Sequence, residues 1–393
     1  MTAPTYSPRE MIAKLVSFDT VSDKSNLPLI DFVEDYLKVH GLNPTRVYNE
    51  DRTKSNLYAT VGPNREGGVV LSGHTDVVPT AHQTWSHDPF DMVEKDGRLY
   101  GRGTCDMKGF VAMCLAMVPE FANADLRVPI HLALSYDEEV GCTGCVGMVE
   151  AMANGAIAKP RAVLVGEPTD MKLVVAHKGV NSFHTTVTGR EAHSSQPHRG
   201  ANANIAAGKL VAYIARMAEE AAARAPADSP FEPPQTSFQV GLLHGGNAAN
   251  IIPGHCEIGW EFRTIPSDDA NALQAQFEAY AANEVLPALR ATAPEADIVT
   301  EKLCGVIPLA PEQGDAAQAE ALVRELTGQN QSGVVSYGTE GGVFQAHGFS
   351  TVVVGPGSID QAHQPDEYLE VEQLDACIAF LRKLRDWASQ PTA

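Results

Sequence analysis

Gly67-Gly-Val-Val-Leu-Ser-Gly-His-Thr-Asp-Val-Val78 runs from a short β-branched apolar segment into a histidine and an aspartate two positions apart. The part from Gly67 to Ser72, apolar and bounded by glycine, reads as a buried strand. A strand repeats every second residue, so His74 and Asp76 leave the same face at its carboxyl end. A neutral imidazole nitrogen beside a carboxylate that can orient the ring suits a metal ion. Taken alone, His-x-Asp fits a hydrogen-bonded loop pair equally well.

Further histidine and carboxylate side chains fall at equivalent places. Asp106 lies in the polar, glycine-rich loop Arg102-Gly-Thr-Cys-Asp-Met-Lys-Gly109. Glu138 and Glu139 follow the apolar run from Ile130 to Tyr136. Glu167 follows Ala162-Val-Leu-Val-Gly166, and His363 follows Val352-Val-Val-Gly-Pro-Gly-Ser358. In an α/β sheet the carboxyl ends of the strands form the ligand crevice. Histidine and carboxylate are the ligands of hydrolytic metal sites, and a carboxylate can bridge two ions.

Around these residues strands alternate with helices, which predicts a mainly parallel sheet in three layers. Ser7 and Pro8 start a first helix, Leu29 to His40 forms a second, and Lys108 to Phe121 another. From His177 the rhythm changes. Val180 to Arg190 alternates like a half-exposed strand, Ala201 to Arg224 is helical, and Ala225 to Gln235 is a proline-rich loop. Strands at Thr236 to Leu243 and His255 to Thr264, a helix from Asp268 to about Ala293 capped by Ser267, and a strand at Asp297 to Cys304 complete a β-α-β-β-α-β order. That order predicts a split-βαβ α+β domain at 179–303, inserted between catalytic portions at 1–178 and 304–393.

The 393 residues, 44% of them hydrophobic, suffice for a large core and two domains. A net charge of -20 argues against nucleic acid or an anionic membrane as partner. The acid is dispersed, as on a soluble enzyme, with attraction of a cationic substrate as a second reading. The start lacks the basic and apolar regions of a secretory signal, and no apolar run has the length of a membrane span. Seven scattered cysteines then read as reduced thiols in the cytoplasm. Cys142-Thr-Gly-Cys145 is a Cys-x-x-Cys, but the second pair of a structural zinc site is absent, which argues against a redox or zinc role. In the loop Thr80 to Tyr100, His82, Trp85, His87 and Phe90 read as loop packing and surface rather than ligands.

Ser72-Gly-His-Thr-Asp76, Gly101-Arg-Gly-Thr-Cys-Asp-Met-Lys-Gly109, Asp137-Glu-Glu-Val140, Gly166-Glu-Pro-Thr169 and Gln361-Ala-His-Gln-Pro-Asp-Glu-Tyr368 together resemble the dinuclear zinc amidohydrolase and exopeptidase family. The resemblance runs from about Pro8 to about Trp387. Within the family it is nearest to the members that deacetylate acetylornithine, through Ala176-His-Lys-Gly179 and the long stretch from Val354 to Glu370. Cys105 departs from it, standing where a small residue is expected.

The resemblance implies a zinc-exopeptidase-like α/β catalytic domain whose insert serves dimerisation and substrate closure. It assigns His74, Asp106 and Glu167 to one zinc ion and Asp106, Glu139 and His363 to a second, with Asp106 bridging and Co2+ able to substitute. Asp76 steadies His74, and Glu138 is the general base. His193 reaches across a homodimer to the oxyanion, although by spacing alone it is a surface histidine. Arg263 and Asn250 hold the substrate carboxylate, with a surface ion pair as the other reading of Arg263. Thr339 and Glu340 lie near the expected pocket, and Glu340 is expected to sense the ornithine ammonium. The implied reaction releases acetate and L-ornithine from N2-acetyl-L-ornithine, with another N-acyl amino acid as the alternative substrate. A scaffold with a relict site is the rival from another class, and the full ligand set with Glu138 argues against it.

Overall fold

In the computed structural model, which describes residues 4–390, Val69–His74 lies inside an eight-stranded sheet. Residues 1–3, where the segment read for an export signal begins, and 391–393 lie outside the described residues. The strands run in the order Thr45–Tyr48, Ser55–Val61, Ile130–Ser135, Val69–His74, Ala162–Val165, Thr351–Val353, Val174–His177 and Gly333–Val335. Val69–His74 is parallel to both of its neighbours, and Thr351–Val353 is parallel to Ala162–Val165. Four adjacent parallel strands therefore end on the same edge, and the segments bearing Glu138, Glu139, Glu167 and His363 follow three of them.

The sheet is mixed rather than mainly parallel. Thr45–Tyr48 and Ser55–Val61 form an antiparallel pair that joins Ile130–Ser135 antiparallel, and Val174–His177 meets Thr351–Val353 antiparallel. A short turn suffices between Tyr48 and Ser55, where a parallel connection needs a crossover of a dozen residues or more. Every residue of Val69–His74, Ile130–Ser135 and Ala162–Val165 is buried, as expected of strands covered on both faces.

Helix Pro8–Val16 begins with a capping box, in which Ser7 Oγ accepts from Glu10 N at 3.3 Å and Glu10 accepts from Ser7 N at 2.8 Å. It buries Met11, Ile12, Leu15 and Val16 in the same core as Leu71, Leu132 and Leu164 of the sheet. Each such side chain contributes roughly 1.5–3 kcal/mol of burial. Helix Lys108–Ala116 lies directly on the strands. A Cβ at Gly73 would come within 2.8 Å of Met107 Cε, and one at Gly166 within 2.0 Å of Phe110 Cδ1. Those two glycines let the start of this helix, and with it Asp106, approach the strand ends. The helix expected through Phe121 stops at Ala116, and Val118–Asn123 restarts with Pro119 in its first turn.

By its contacts the chain divides into two units. One comprises the chain through Ala176, Leu309–Val334 and Thr339 onward; the other comprises His177–Pro308 and Val335–Gly338. The return to the first unit comes at Leu309 rather than 304 because the last strand of the second, Asp297–Val306, continues past Cys304.

The second unit is a four-stranded antiparallel sheet in the order Ser237–Gly245, His255–Arg263, Val180–Thr188, Asp297–Val306. On His255–Arg263 the side chains of Cys256, Ile258, Trp260 and Phe262 are buried while their neighbours are not. They share a core with Ala207, Leu210 and Ile214 of helix Ala203–Ala223 and Phe277 of helix Ala270–Tyr280. Asp269, not Ser267, caps the latter helix, accepting from Asn271 N at 2.8 Å and Ala272 N at 3.2 Å. The helical path runs on from Tyr280 through a π-helical turn at Ala281–Val285 into helix Leu286–Arg290, close to the expected end near Ala293. Among the described residues no helix is long and apolar enough to cross a membrane.

Candidate metal centre

His74 is the last residue of its strand and is fully buried. Its Nδ1 donates to the backbone carbonyl of Asp76 at 2.9 Å, which turns the Nε2 lone pair toward the carboxylates. Nε2 stands 3.1 Å from Asp106 Oδ1, 3.6 Å from Glu167 Oε1 and 4.0 Å from Glu138 Oε2. The other oxygen of Asp106, Oδ2, stands 3.3 Å from His363 Nε2, and that nitrogen is 3.0 Å from Glu139 Oε2. Asp106 thus offers one oxygen to each imidazole. Ligand atoms about 2.0–2.1 Å from a tetrahedral ion lie roughly 3.3 Å from one another, and these separations cluster there.

The carboxylate of Asp76 works mainly on the neighbouring loop. It is 3.5 Å from His74 Nδ1, farther than the carbonyl, and accepts from Ser22 Oγ at 2.7 Å, Glu138 N at 3.2 Å and Glu139 N at 3.3 Å. It holds the backbone from which Glu138 and Glu139 project.

So much buried acid is costly unless positive charge meets it. Burial and then the repulsion of Asp106 push Glu139 up to about 7. Burial, with Glu139 and Asp106 opposing His74, pushes Glu138 up to about 8. Burial and Asp106 likewise raise Glu167 well above the usual carboxylate range. Burial disfavours the charge on Asp106 as well, but hydrogen bonds from His363 and His74 outweigh it and hold the group low. Hydrogen bonds to Asp106 and Glu139 raise His363 to about 10.

Glu139 Oε1 and Glu167 Oε1 are buried with no hydrogen-bond partner among the described residues. A buried polar atom left so costs about 1–3 kcal/mol, and a divalent cation would remove the penalty. Two overlapping groups, His74 with Asp106 and Glu139, and His74 with Glu138 and Glu167, each bring ligand atoms within 4.8 Å of one another. The donor set fits metal ions.

Two residues beyond the expected set support the centre. Glu367 is buried, pairs with Arg102 Nη1 at 2.7 Å, and accepts from Gly103 N, Cys105 N and Asp106 N at 2.9–3.1 Å. It closes the loop that presents Asp106. Its place in Pro365-Asp-Glu-Tyr368 was the available signal, indistinguishable from surface acid. Cys142 Sγ donates to Glu138 Oε1 at 3.2 Å. Cys142 and Cys145 form no disulfide, Cys145 Sγ instead donating to Cys142 O at 3.3 Å. Cys105 is buried with Sγ 3.4 Å from Ser358 O, apart from the ligand groups.

Glu340 takes a different place from the one expected. It is fully buried, its two oxygens accepting from Ser72 Oγ at 2.5 Å and Ser135 Oγ at 2.7 Å, so it ties two strands together beneath the surface rather than facing a substrate ammonium. Thr339 is likewise buried, its Oγ1 accepting from Gly341 N at 3.0 Å just before helix Gly341–Ala346.

The remaining expected residues belong to the second unit. His193 is exposed on the short strand Ala192–His193, its Nδ1 2.8 Å from Ser195 Oγ. Asn250 lies beside it, its carbonyl accepting from Ser194 N at 3.0 Å. Arg263 ends its strand and pairs with Glu261 at 3.2 Å, the surface ion pair that was its other reading.

The model of peptidase family M20/M25/M40 matches residues 70–386. Acetylornithine deacetylase of Myxococcus xanthus is 35% identical over 383 residues, 95% of this chain and 96% of that protein. Acetylornithine deacetylase of Pasteurella multocida (strain Pm70) is 34% identical over 385 residues, with 95% and 96% covered. Among solved structures, an M20 family metallo-carboxypeptidase of Sulfolobus solfataricus matches with a TM-score of 0.73 at 16% identity, covering 98% of this chain and 100% of that one. A tripeptidase of Staphylococcus aureus matches at 0.72 and 17%, covering 99% and 100%. At that identity these two speak for the fold alone.

Proposed function

The chain belongs to peptidase family M20/M25/M40, and from that premise we propose that it removes the acetyl group from N2-acetyl-L-ornithine, releasing acetate and L-ornithine. It is a metal-dependent amidohydrolase. The observation that carries the reading is the Asp106 carboxylate, which faces His74 with one oxygen and His363 with the other, beside an uncommitted oxygen of Glu138. Identity of 34–35% to acetylornithine deacetylases over 95% of the chain supports the substrate.

We assign two zinc ions per subunit, replaceable by Co2+, to His74, Asp106, Glu139, Glu167 and His363. When bound, such ions polarise a carbonyl and bring the pKa of water near 7. Glu138 then takes the proton of the attacking water and returns it to the departing amine. Cys142 keeps one Glu138 oxygen engaged and leaves Oε2 for this exchange. Asp76 fixes the loop, so that base and ligand, adjacent in sequence, keep separate tasks. On the resemblance, Arg263 and Asn250 take the substrate carboxylate, and His193 of the partner subunit in a cytoplasmic homodimer donates to the oxyanion.

The test is release of free amine from N2-acetyl-L-ornithine by the purified protein, after chelation and again after zinc is restored. Activity should vanish and return. Equal rates on N-acetylmethionine and N-acetylornithine would remove the substrate assignment and leave the hydrolase. An inactive protein that binds no metal would remove both.

A further inference from the structure

Gln83 sits in a loop to which the reaction assigns nothing, yet its side chain joins the two loops that present Asp106 and His363. Its Nε2 donates to the backbone carbonyl of His363 at 2.9 Å. Its Oε1 accepts from Arg102 Nη2 at 2.6 Å and from Trp85 Nε1 at 3.1 Å. Arg102 is buried and in turn pairs with Glu367, the residue that gathers the amides around Asp106.

His363 needs such support. Its side chain is 52% exposed and so carries little packing of its own. Its backbone φ is 62°, a left-handed conformation that a residue with a Cβ keeps only where its surroundings impose it. Apart from the contacts of its Nε2 with Glu139 and Asp106, the direction of its ring is set through its main chain, and Gln83 grips that main chain. Ser86 also ties the loop to Asp366, through N at 2.8 Å and Oγ at 2.7 Å, so the loop stays docked without the glutamine.

We infer that Gln83 is a positioning residue for the second metal position: its amide fixes the His363 backbone against Arg102, holding His363 opposite Asp106. This rests on the two-metal reading above. Polar partners one step removed from a metal typically change its affinity by about 10–100-fold. Among the described residues Gln83 makes no hydrogen bond to His74, Asp106 or Glu167, so the first position should be spared.

The experiment strips wild type, Gln83→Ala and Gln83→Glu of metal and titrates each with zinc by calorimetry and with Co2+ by visible absorption. Gln83→Glu keeps the acceptor for Arg102 and Trp85 but has no N–H for the His363 carbonyl. Both variants should bind the first ion as wild type does and the second about 10–100-fold more weakly. Second-ion affinity within about twofold of wild type in both variants would overturn the inference. So would full recovery in Gln83→Glu beside a weakened Gln83→Ala, which would place the effect at Arg102. A wild-type protein that takes up one ion would remove the two-metal reading itself, and this inference with it.

Discussion

Val69–His74 and His255–Arg263 are both interior strands of their sheets, and they treat polar side chains in opposite ways. The first is buried throughout and ends among His74, Asp106 and Glu167, all within the protein interior. The second alternates, burying Trp260 and Phe262 on one face while Glu261 and Arg263 pair on the other. An exposed ion pair contributes about 0–1 kcal/mol and implies nothing further. Carboxylates gathered out of water oppose folding unless a cation meets them, so their presence at the first strand's end marks a working site. Within the second unit, roles for His193, Asn250 and Arg263 rest on the resemblance, because ordinary surface chemistry also explains their placement.

Two substitutions separate the two regions. Glu138→Ala should reduce kcat by about 10²–10⁴ while metal content, read by mass spectrometry, stays at the wild-type value. Loss of metal along with rate would make Glu138 a ligand instead of a base. His193→Ala should reduce kcat by about 10²–10³ with metal uptake unchanged, and a wild-type rate would return that residue to the surface.

The smallest effect is on the stability of the chelated protein against pH. The folded-state pKa values of Glu138 and Glu139 are raised to about 8 and 7 from an ordinary 4.5, so between these limits the folded chain binds more protons than the unfolded one. Stability then falls as pH rises through that window. His74 and His363, also raised, act in the same direction above the ordinary 6.5, the half-exposed His363 the less because solvent screens it. Asp106, held low, adds stability that is lost only as pH falls below the ordinary 3.8. The unfolding midpoint of chelated protein should therefore drop from pH 5 to pH 8, and restoring zinc should flatten the slope. An equal slope with and without zinc would mean that the cluster is not where the metal binds.

Strand-end chemistry was legible because it depends on local order. A short apolar run followed by histidine or acid marked His74, Glu138, Glu139 and Glu167 as strand-end candidates, while their roles came from the resemblance. What the sequence concealed depends on contacts across the sheet. Nothing in Tyr337-Gly-Thr-Glu-Gly-Gly342 indicates that Ser72 and Ser135, far apart in the chain, take both oxygens of Glu340. Glu367 resembles any surface acid until Arg102 and three amides are seen around it. The antiparallel flanks of the sheet were hidden for the same reason, since periodicity reports burial and not strand direction.

Diffraction from zinc-loaded crystals on both sides of the zinc absorption edge tests the metal centre most directly. Two anomalous peaks about 3.5–4 Å apart, flanking the Asp106 carboxylate with His74 at one and His363 at the other, are the predicted result. A single peak, or peaks away from Asp106, would contradict it.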